Sequence, residues 1–150
     1  MVSRLKVDRA TDADFHQIVR DIVDFWGSDR TLRLHHTMYV HELADTSYVI
    51  KDGDRVIAYL FGVIAESKKV ASASLIGVRT SHRRQGHGER LYELFQEYAR
   101  GRGCAKLTAV TSPSNANSIA FHTTRIGMRY RIVKDYGGQG EDRAVFEKAI

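Results

Sequence analysis

From Arg79 to Leu91 the chain reads Arg-Thr-Ser-His-Arg-Arg-Gln-Gly-His-Gly-Glu-Arg-Leu. Gly86 and Gly88 stand among basic side chains, after a strand-like run and directly before an amphipathic one. A helix that opens here exposes unpaired N–H groups and the positive end of its dipole, which together bind anions. Glycine lets the backbone approach such an anion closely and take a positive φ. Arg79, His82, Arg83 and Arg84 would add charge to the same rim. The plain alternative is a solvated turn whose glycines only relieve strain. A Walker loop is unsupported because no Lys-Ser/Thr follows the glycines, and a dinucleotide fingerprint would need a third glycine where Leu91 stands. Backbone amides wrapped around a pair of phosphates are the chemistry expected of this turn.

The rest of the chain must position that turn. Its 150 residues suit one domain, residues 1–150, around one hydrophobic core, and 43% hydrophobic with 27% charged residues is ordinary globular composition. The net charge of +5 and pI near 9.5 favour polyanions or phosphorylated ligands without choosing between them. The longest near-continuous apolar stretch, residues 56–65, is too short to cross a bilayer, so no membrane partner is expected. Residues 1–15 carry charges where a secretory signal would be apolar, so the expected location is cytoplasmic. Cys104 is the single cysteine, which excludes an internal disulfide and a multi-cysteine zinc site and reads as a buried filler.

Periodicity then orders the elements. Residues 3–11 alternate as a strand, and Thr11 with Asp14 forms a capping-box pattern. Phe15, Ile18, Val19, Ile22 and Trp26 fall on one helical face, and a second helix is expected over 28–43. Residues 47–65 form a hairpin about Asp52-Gly53, and 70–80 form a further strand. A helix stacks Leu91, Leu94, Phe95 and Tyr98, a strand follows from Cys104, and a helix runs from about Asn115 to Ile126. Two strands, 128–136 and 143–150, flank Gly-Gly-Gln-Gly. The order βααβββαβαββ predicts an α/β fold, a mixed central sheet of about seven strands with about four helices packed on it. Trp26, Tyr39, Tyr48 and Tyr59 read as core aromatics, and His35, His36 and His41 could line an acceptor side. No carboxylate or cysteine cluster joins those histidines, so no metal is expected.

On these residues the chain resembles the GNAT superfamily of acyl-CoA-dependent N-acetyltransferases, over nearly its whole length in element order. Arg83-Arg84-Gln85-Gly86-His87-Gly88 resembles that superfamily's acyl-CoA loop, placed after a strand ending Ile-Gly-Val. Asn115, Ser118, Phe121 and His122 match its second signature in spacing, and Ile126-Gly127-Met128 its closing Leu-Gly-Phe. The resemblance implies acetyl-CoA as co-substrate, its pyrophosphate on the amides from Gly86 to Glu89. Its pantetheine arm would pair with Ile76, Gly77 and Val78, in a gap between that strand and the one from Lys106 to Val110. It also implies an amine-bearing small molecule or protein as acceptor, attacking the thioester directly.

Two departures stand out. His122 replaces the usual tyrosine that protonates the leaving thiolate, so a histidine acid, or a histidine bonded only to a backbone carbonyl, is expected there. From His122 to Gly127 there is one residue more than the common spacing, so the helix end should be wound differently. For the general base Glu66 is the nearest carboxylate in chain order, with a solvated hairpin residue as its plain alternative. Two rival functions are a catalytically silent acyl-CoA-binding module and a small basic nucleic-acid-binding protein. The latter is disfavoured because the densest basic cluster sits on one turn, so no nucleic acid is expected. A homodimer is the default assembly.

Overall fold

The computed structural model describes residues 5–150. Ser3 and Arg4 of the first expected strand lie outside them. Hydrogen bonding orders seven strands β1-β2-β3-β4-β5-β7-β6 in a mixed sheet, accompanied by four helices, as the element order predicts. The residues gather into two units, each discontinuous in sequence: up to Val63 with Leu75–Phe95, and Ile64–Ser74 with Gln96–Ile150.

In the first unit β1 (Lys6–Arg9) pairs antiparallel with β2 (Ser47–Asp52), and β2 with β3 (Arg55–Ala65) across the Gly53 turn. The Arg79 N–H donates to the Ile57 carbonyl at 2.9 Å, just past the end of β4 (Val70–Val78). The expected capping box is present: Thr11 accepts from the Asp14 N–H at the start of α1 (Asp12–Arg20), and Asp14 accepts in return from the Thr11 N–H. Caps of this kind contribute about 1 kcal/mol. Phe15 and Ile18 of α1 join Ile22 and Phe25 of α2 (Ile22–Trp26) in burying Val49, Tyr59, Phe61 and Leu75.

Two expectations are corrected here. The apolar stripe from Phe15 to Trp26 is two helices, broken at Asp21, whose carboxylate is drawn to Arg79 and Arg20. The stretch expected as a helix over 28–43 forms short 3-10 turns at Leu32–Leu34 and Thr37–Tyr39 instead. Its apolar residues lack a continuous face, and His35 and His36 spend hydrogen bonds on local and tertiary partners.

In the second unit β4 pairs parallel with β5 (Lys106–Thr111), in register from Val70 with Lys106 to Ala73 with Ala109. The hairpin of β6 (Arg129–Val133) and β7 (Arg143–Ala149) adds to β5 through β7. Leu107, Ala109, Ala144, Phe146, Ile126 and Met128 are buried. The crossover helix α3 (His87–Gly101) leads into this unit, where the Cys104 N–H donates to the Ala99 carbonyl and the Ala105 N–H to that of Lys69. Cys104 is a buried free thiol, as expected. Among the described residues, no helix is long and apolar enough to cross a membrane.

Candidate functional site

The glycine turn belongs to the first unit. A 3-10 turn, Thr80–His82, carries the chain out of β4, and α3 begins at His87, where the Arg90 N–H donates to the Gly86 carbonyl at 3.1 Å. Gly86 has φ +84°, and Arg84 has φ +61° as a non-glycine residue. Two left-handed residues so close together turn the chain sharply into the helix. The first amides of a 15-residue helix point out of that turn, and by helix geometry they have no partner within the helix.

The arginines divide. Arg79, expected on the rim, is 3% exposed and turned inward. Its guanidinium donates to Asp21 at 2.9 Å, Asp24 at 3.1 Å and Gln17 at 3.1 Å, and lies 4.6 Å from the centre of the Phe25 ring. Residues of β4 alternate between faces, and position 79 continues the one that meets α1 and α2, so the charge goes to their carboxylates. Arg79 therefore supplies no phosphate contact. Arg83 donates to the carbonyls of Phe25 at 2.7 Å and Val78 at 3.2 Å, which fastens the turn to the end of α2 and to β4. Arg84 and Gln85 are exposed.

His87 opens α3 with its Nε2 shielded and without a hydrogen-bond partner among the described residues. Burial lowers its pKa, and the neighbouring His82 and Arg90 lower it further. The His82 ring is 6.3 Å away, with its Nδ1 against the Ser81 hydroxyl at 2.7 Å.

Along β4, Ile76 and Val78 are half-buried on one face and Gly77 is buried on the other. A Cβ at position 77 would come within 2.8 Å of the Tyr59 ring, so only glycine fits beneath that phenol.

The second signature lies in the second unit. Asn115 caps α4 (Ala116–Ala120), accepting from the Ser118 N–H at 3.2 Å while its amide donates to Thr111 at 3.2 Å. The extra residue before Gly127 is absorbed as a π-helical turn, Phe121–Arg125, closed by the Ile126 N–H donating to the Phe121 carbonyl at 3.2 Å. His122 sits in that turn, 4% exposed and stacked on Phe146 at 4.5 Å. Its Nδ1 lies 2.8 Å from the Ser118 carbonyl, which fixes the proton on that nitrogen. Burial lowers its pKa, opposed by the Ser118 bond, so the neutral imidazole is favoured. The thiolate-protonating role needs the cation that this burial disfavours.

Glu66 lies in a 3-10 turn ahead of β4, exposed, with its carboxylate on the Arg102 guanidinium. The three histidines considered for an acceptor side have separate partners. His36 accepts from the Met38 N–H, His41 lies 3.2 Å from Asp12, and His35 meets Tyr59 at 2.7 Å. That last contact escaped the sequence reading, because the two residues are 24 positions apart with no pattern linking them. An open cleft of about 540 Å³ lined by Gln17, Asp24, Asp54 and Arg79, among others, contains none of the expected site residues except Arg79. Among the described residues, no group of three His, Cys, Asp or Glu is placed to hold a metal ion.

Residues 13–128 match the family model described as "Acetyltransferase (GNAT) family", and the chain belongs to that family of acetyltransferases. A ribosomal-protein-S18-alanine N-acetyltransferase from Escherichia coli superposes with a TM-score of 0.73 at 18% identity, covering 98% of this chain and 94% of that one. Naa20 from Chaetomium thermophilum, solved with a bisubstrate analogue, gives a TM-score of 0.79 at 20% identity, with 97% and 87% covered. A putative GNAT acetyltransferase from Desulfovibrio desulfuricans gives 0.79 at 17% identity, with 97% and 99% covered. At such identities the likeness is one of fold. A comparison with curated proteins returned no match.

Proposed function

We propose that this acetyltransferase moves the acetyl group of acetyl-CoA to a primary amine by direct attack, without a covalent enzyme intermediate. The observation that carries the reading is the opening of α3 directly behind Gly86, at φ +84°, beside the shielded His87 Nε2 that has no hydrogen-bond partner among the described residues. Those features fit a polyphosphate, and acetyl-CoA would bring the activated thioester. In this reading the amides from Gly86 to Glu89 hold the pyrophosphate, with Arg84 and Gln85 exposed at its edge. The backbone of Ile76, Gly77 and Val78 aligns the pantetheine arm as an added strand, and an N–H near Val78 polarises the acetyl carbonyl. Asn115, Ser118 and Phe121 are assigned to cofactor binding from the resemblance to the family.

With Glu66 paired to Arg102 and His122 held neutral, the amine proton is assigned to solvent and the thiolate leaves unassisted. The same two observations are what favour the second reading, a silent acyl-CoA-binding module. A turnover screen following CoA release separates them, with peptide N-termini, polyamines and small amines as acceptors. Peptides beginning with Ala lead the panel, since neighbours in fold include transferases named for a ribosomal-protein alanine. Turnover with any amine supports the enzyme. Tight acetyl-CoA binding with no turnover across the panel supports the module.

A further inference from the structure

The Tyr59 hydroxyl is at the centre of a hydrogen-bonded chain whose proton order is dictated by its two ends. The Trp26 indole N–H, which can only donate, reaches the phenol oxygen at 2.6 Å. At the other end Nδ1 of His35 lies 2.9 Å from the Thr31 carbonyl, which can only accept. The His35 proton therefore sits on Nδ1, and Nε2 is left to accept the phenol proton across 2.7 Å. Tyr59 is 0% exposed, and its ring is wedged by Phe25 at 5.2 Å and Phe61 at 4.9 Å. The ring has one orientation, and it lies on Gly77. Antiparallel pairing of Ile57 with Arg79 sets Tyr59 directly across from that glycine.

We propose that Tyr59, held by Trp26 and neutral His35, is a positioning residue for acetyl transfer, setting the β4 backbone at Gly77 and so the Val78 N–H. This rests on the acetyl-CoA reading above. The ring lies so close to Gly77 that an added Cβ would meet the phenol oxygen at 3.2 Å and the ring at 2.8 Å, so no side chain fits between them.

The device works in one protonation state of His35. An imidazolium turns its Nε2 into a donor aimed at an oxygen that already accepts from Trp26, and the phenol proton then loses its acceptor. From β3 the titratable group facing His35 is Tyr59, itself kept protonated by burial. From α2 it meets the Trp26 ring at 6.2 Å, and Arg30 binds the Trp26 carbonyl behind it. On its own segment it meets Thr31, while His36 and His41 are engaged elsewhere. Burial lowers the His35 pKa, so the neutral form holds at neutral pH.

The test uses acetyl-CoA carrying ¹³C at the carbonyl, bound to the intact protein, with the thioester C=O stretch read by isotope-edited infrared spectroscopy. In parallel the fluorescence of Trp26, the single tryptophan, reports the state of the chain itself. In wild type the bound stretch is expected at lower frequency than in free acetyl-CoA at pH 8, returning toward the free value as His35 protonates, below the ordinary histidine range because burial lowers its pKa. Trp26 emission should follow the same curve. Tyr59→Phe releases the ring from Trp26 and His35, and should bind acetyl-CoA yet lose most of the shift. His35→Gln still offers the phenol an acceptor and should show a shift that no longer depends on pH. A carbonyl shift unchanged in Tyr59→Phe, or one whose pH dependence survives in His35→Gln, overturns the positioning role and leaves the enzyme assignment standing. Absence of acetyl-CoA binding in the wild type by calorimetry overturns both.

Discussion

Arg83 donates a hydrogen bond of 2.7 Å to the carbonyl of Phe25, so the glycine turn is fastened to the closing residues of α2. The same guanidinium holds the carbonyl of Val78. The basic residue that seemed free for phosphate is instead part of the frame that shapes the turn.

Arg83→Ala should therefore weaken acetyl-CoA binding by loosening the turn, and lower Tm as well. Gly86→Val acts differently: nothing lies within 4 Å of a Cβ there, so no protein atom is displaced. A β-branched residue at φ +84° costs about 1–2 kcal/mol in backbone strain and would crowd the phosphate. Calorimetry should show Kd rising more than about tenfold in Gly86→Val, allowing for that strain together with the lost phosphate approach. Wild-type affinity in that variant removes the cofactor assignment.

Proton uptake should accompany cofactor binding. His87 titrates low chiefly because of burial, with His82 and Arg90 adding to it, and a polyphosphate placed beside it favours the protonated ring and raises its pKa. Acetyl-CoA should then bind more tightly as pH falls from 7 toward 6. The apparent binding enthalpy should differ between phosphate and Tris buffers in proportion to the protons taken up. His87→Gln should reduce that difference, and an unchanged value assigns the uptake elsewhere.

His122→Phe should keep the stack on Phe146 and lose the Ser118 bond. A histidine that protonated the thiolate would cost about 10²-fold in kcat on removal, whereas kcat here should fall less than about tenfold with the alkaline limb unmoved. Glu66→Gln removes one exposed pair with Arg102, a change of about 0–1 kcal/mol, and should leave kcat and its pH profile unaltered. A large loss in either variant, with acetyl-CoA affinity retained, restores that residue to the chemistry.

Stability should fall as pH drops through the histidine range. His35, His87 and His122 all have folded pKa values lowered chiefly by burial. The unfolded chain binds these protons first, near pH 6.5, so stability is full above that value and is lost as pH falls through the folded pKa values. Each kcal/mol lost lowers Tm by about 2–4 °C for a chain of this length. Scanning calorimetry from pH 8 to 5 should show Tm decreasing, less steeply in His35→Gln. A flat profile would mean the three rings titrate as in solvent.

Much of the architecture was legible because it is written locally. Thr11 and Asp14 three residues apart can make a capping box wherever the helix goes, and the box is there. The Asp52-Gly53 turn fixes the β2–β3 hairpin from its own φ requirement. The surplus residue between His122 and Gly127 had to be accommodated within one turn, and it became the π-helical winding. Gly86 announced the helix opening for the same reason, since φ +84° is a property of one residue.

What residues do to each other across the fold was decided only by packing. Arg79 and Arg83 look alike in sequence, yet one is buried against carboxylates and the other binds backbone carbonyls, because strand alternation and the approach of α2 sort them. Asp21, at the break between α1 and α2, pairs with a residue 58 positions away. Trp26 and His35 reach Tyr59 over 33 and 24 positions, and the glycine that admits the ring lies on a third segment. No periodicity encodes such contacts. They exist because apolar burial brings the segments together, and the polar groups carried inside must then satisfy one another or lose the hydrogen bonds they made to water.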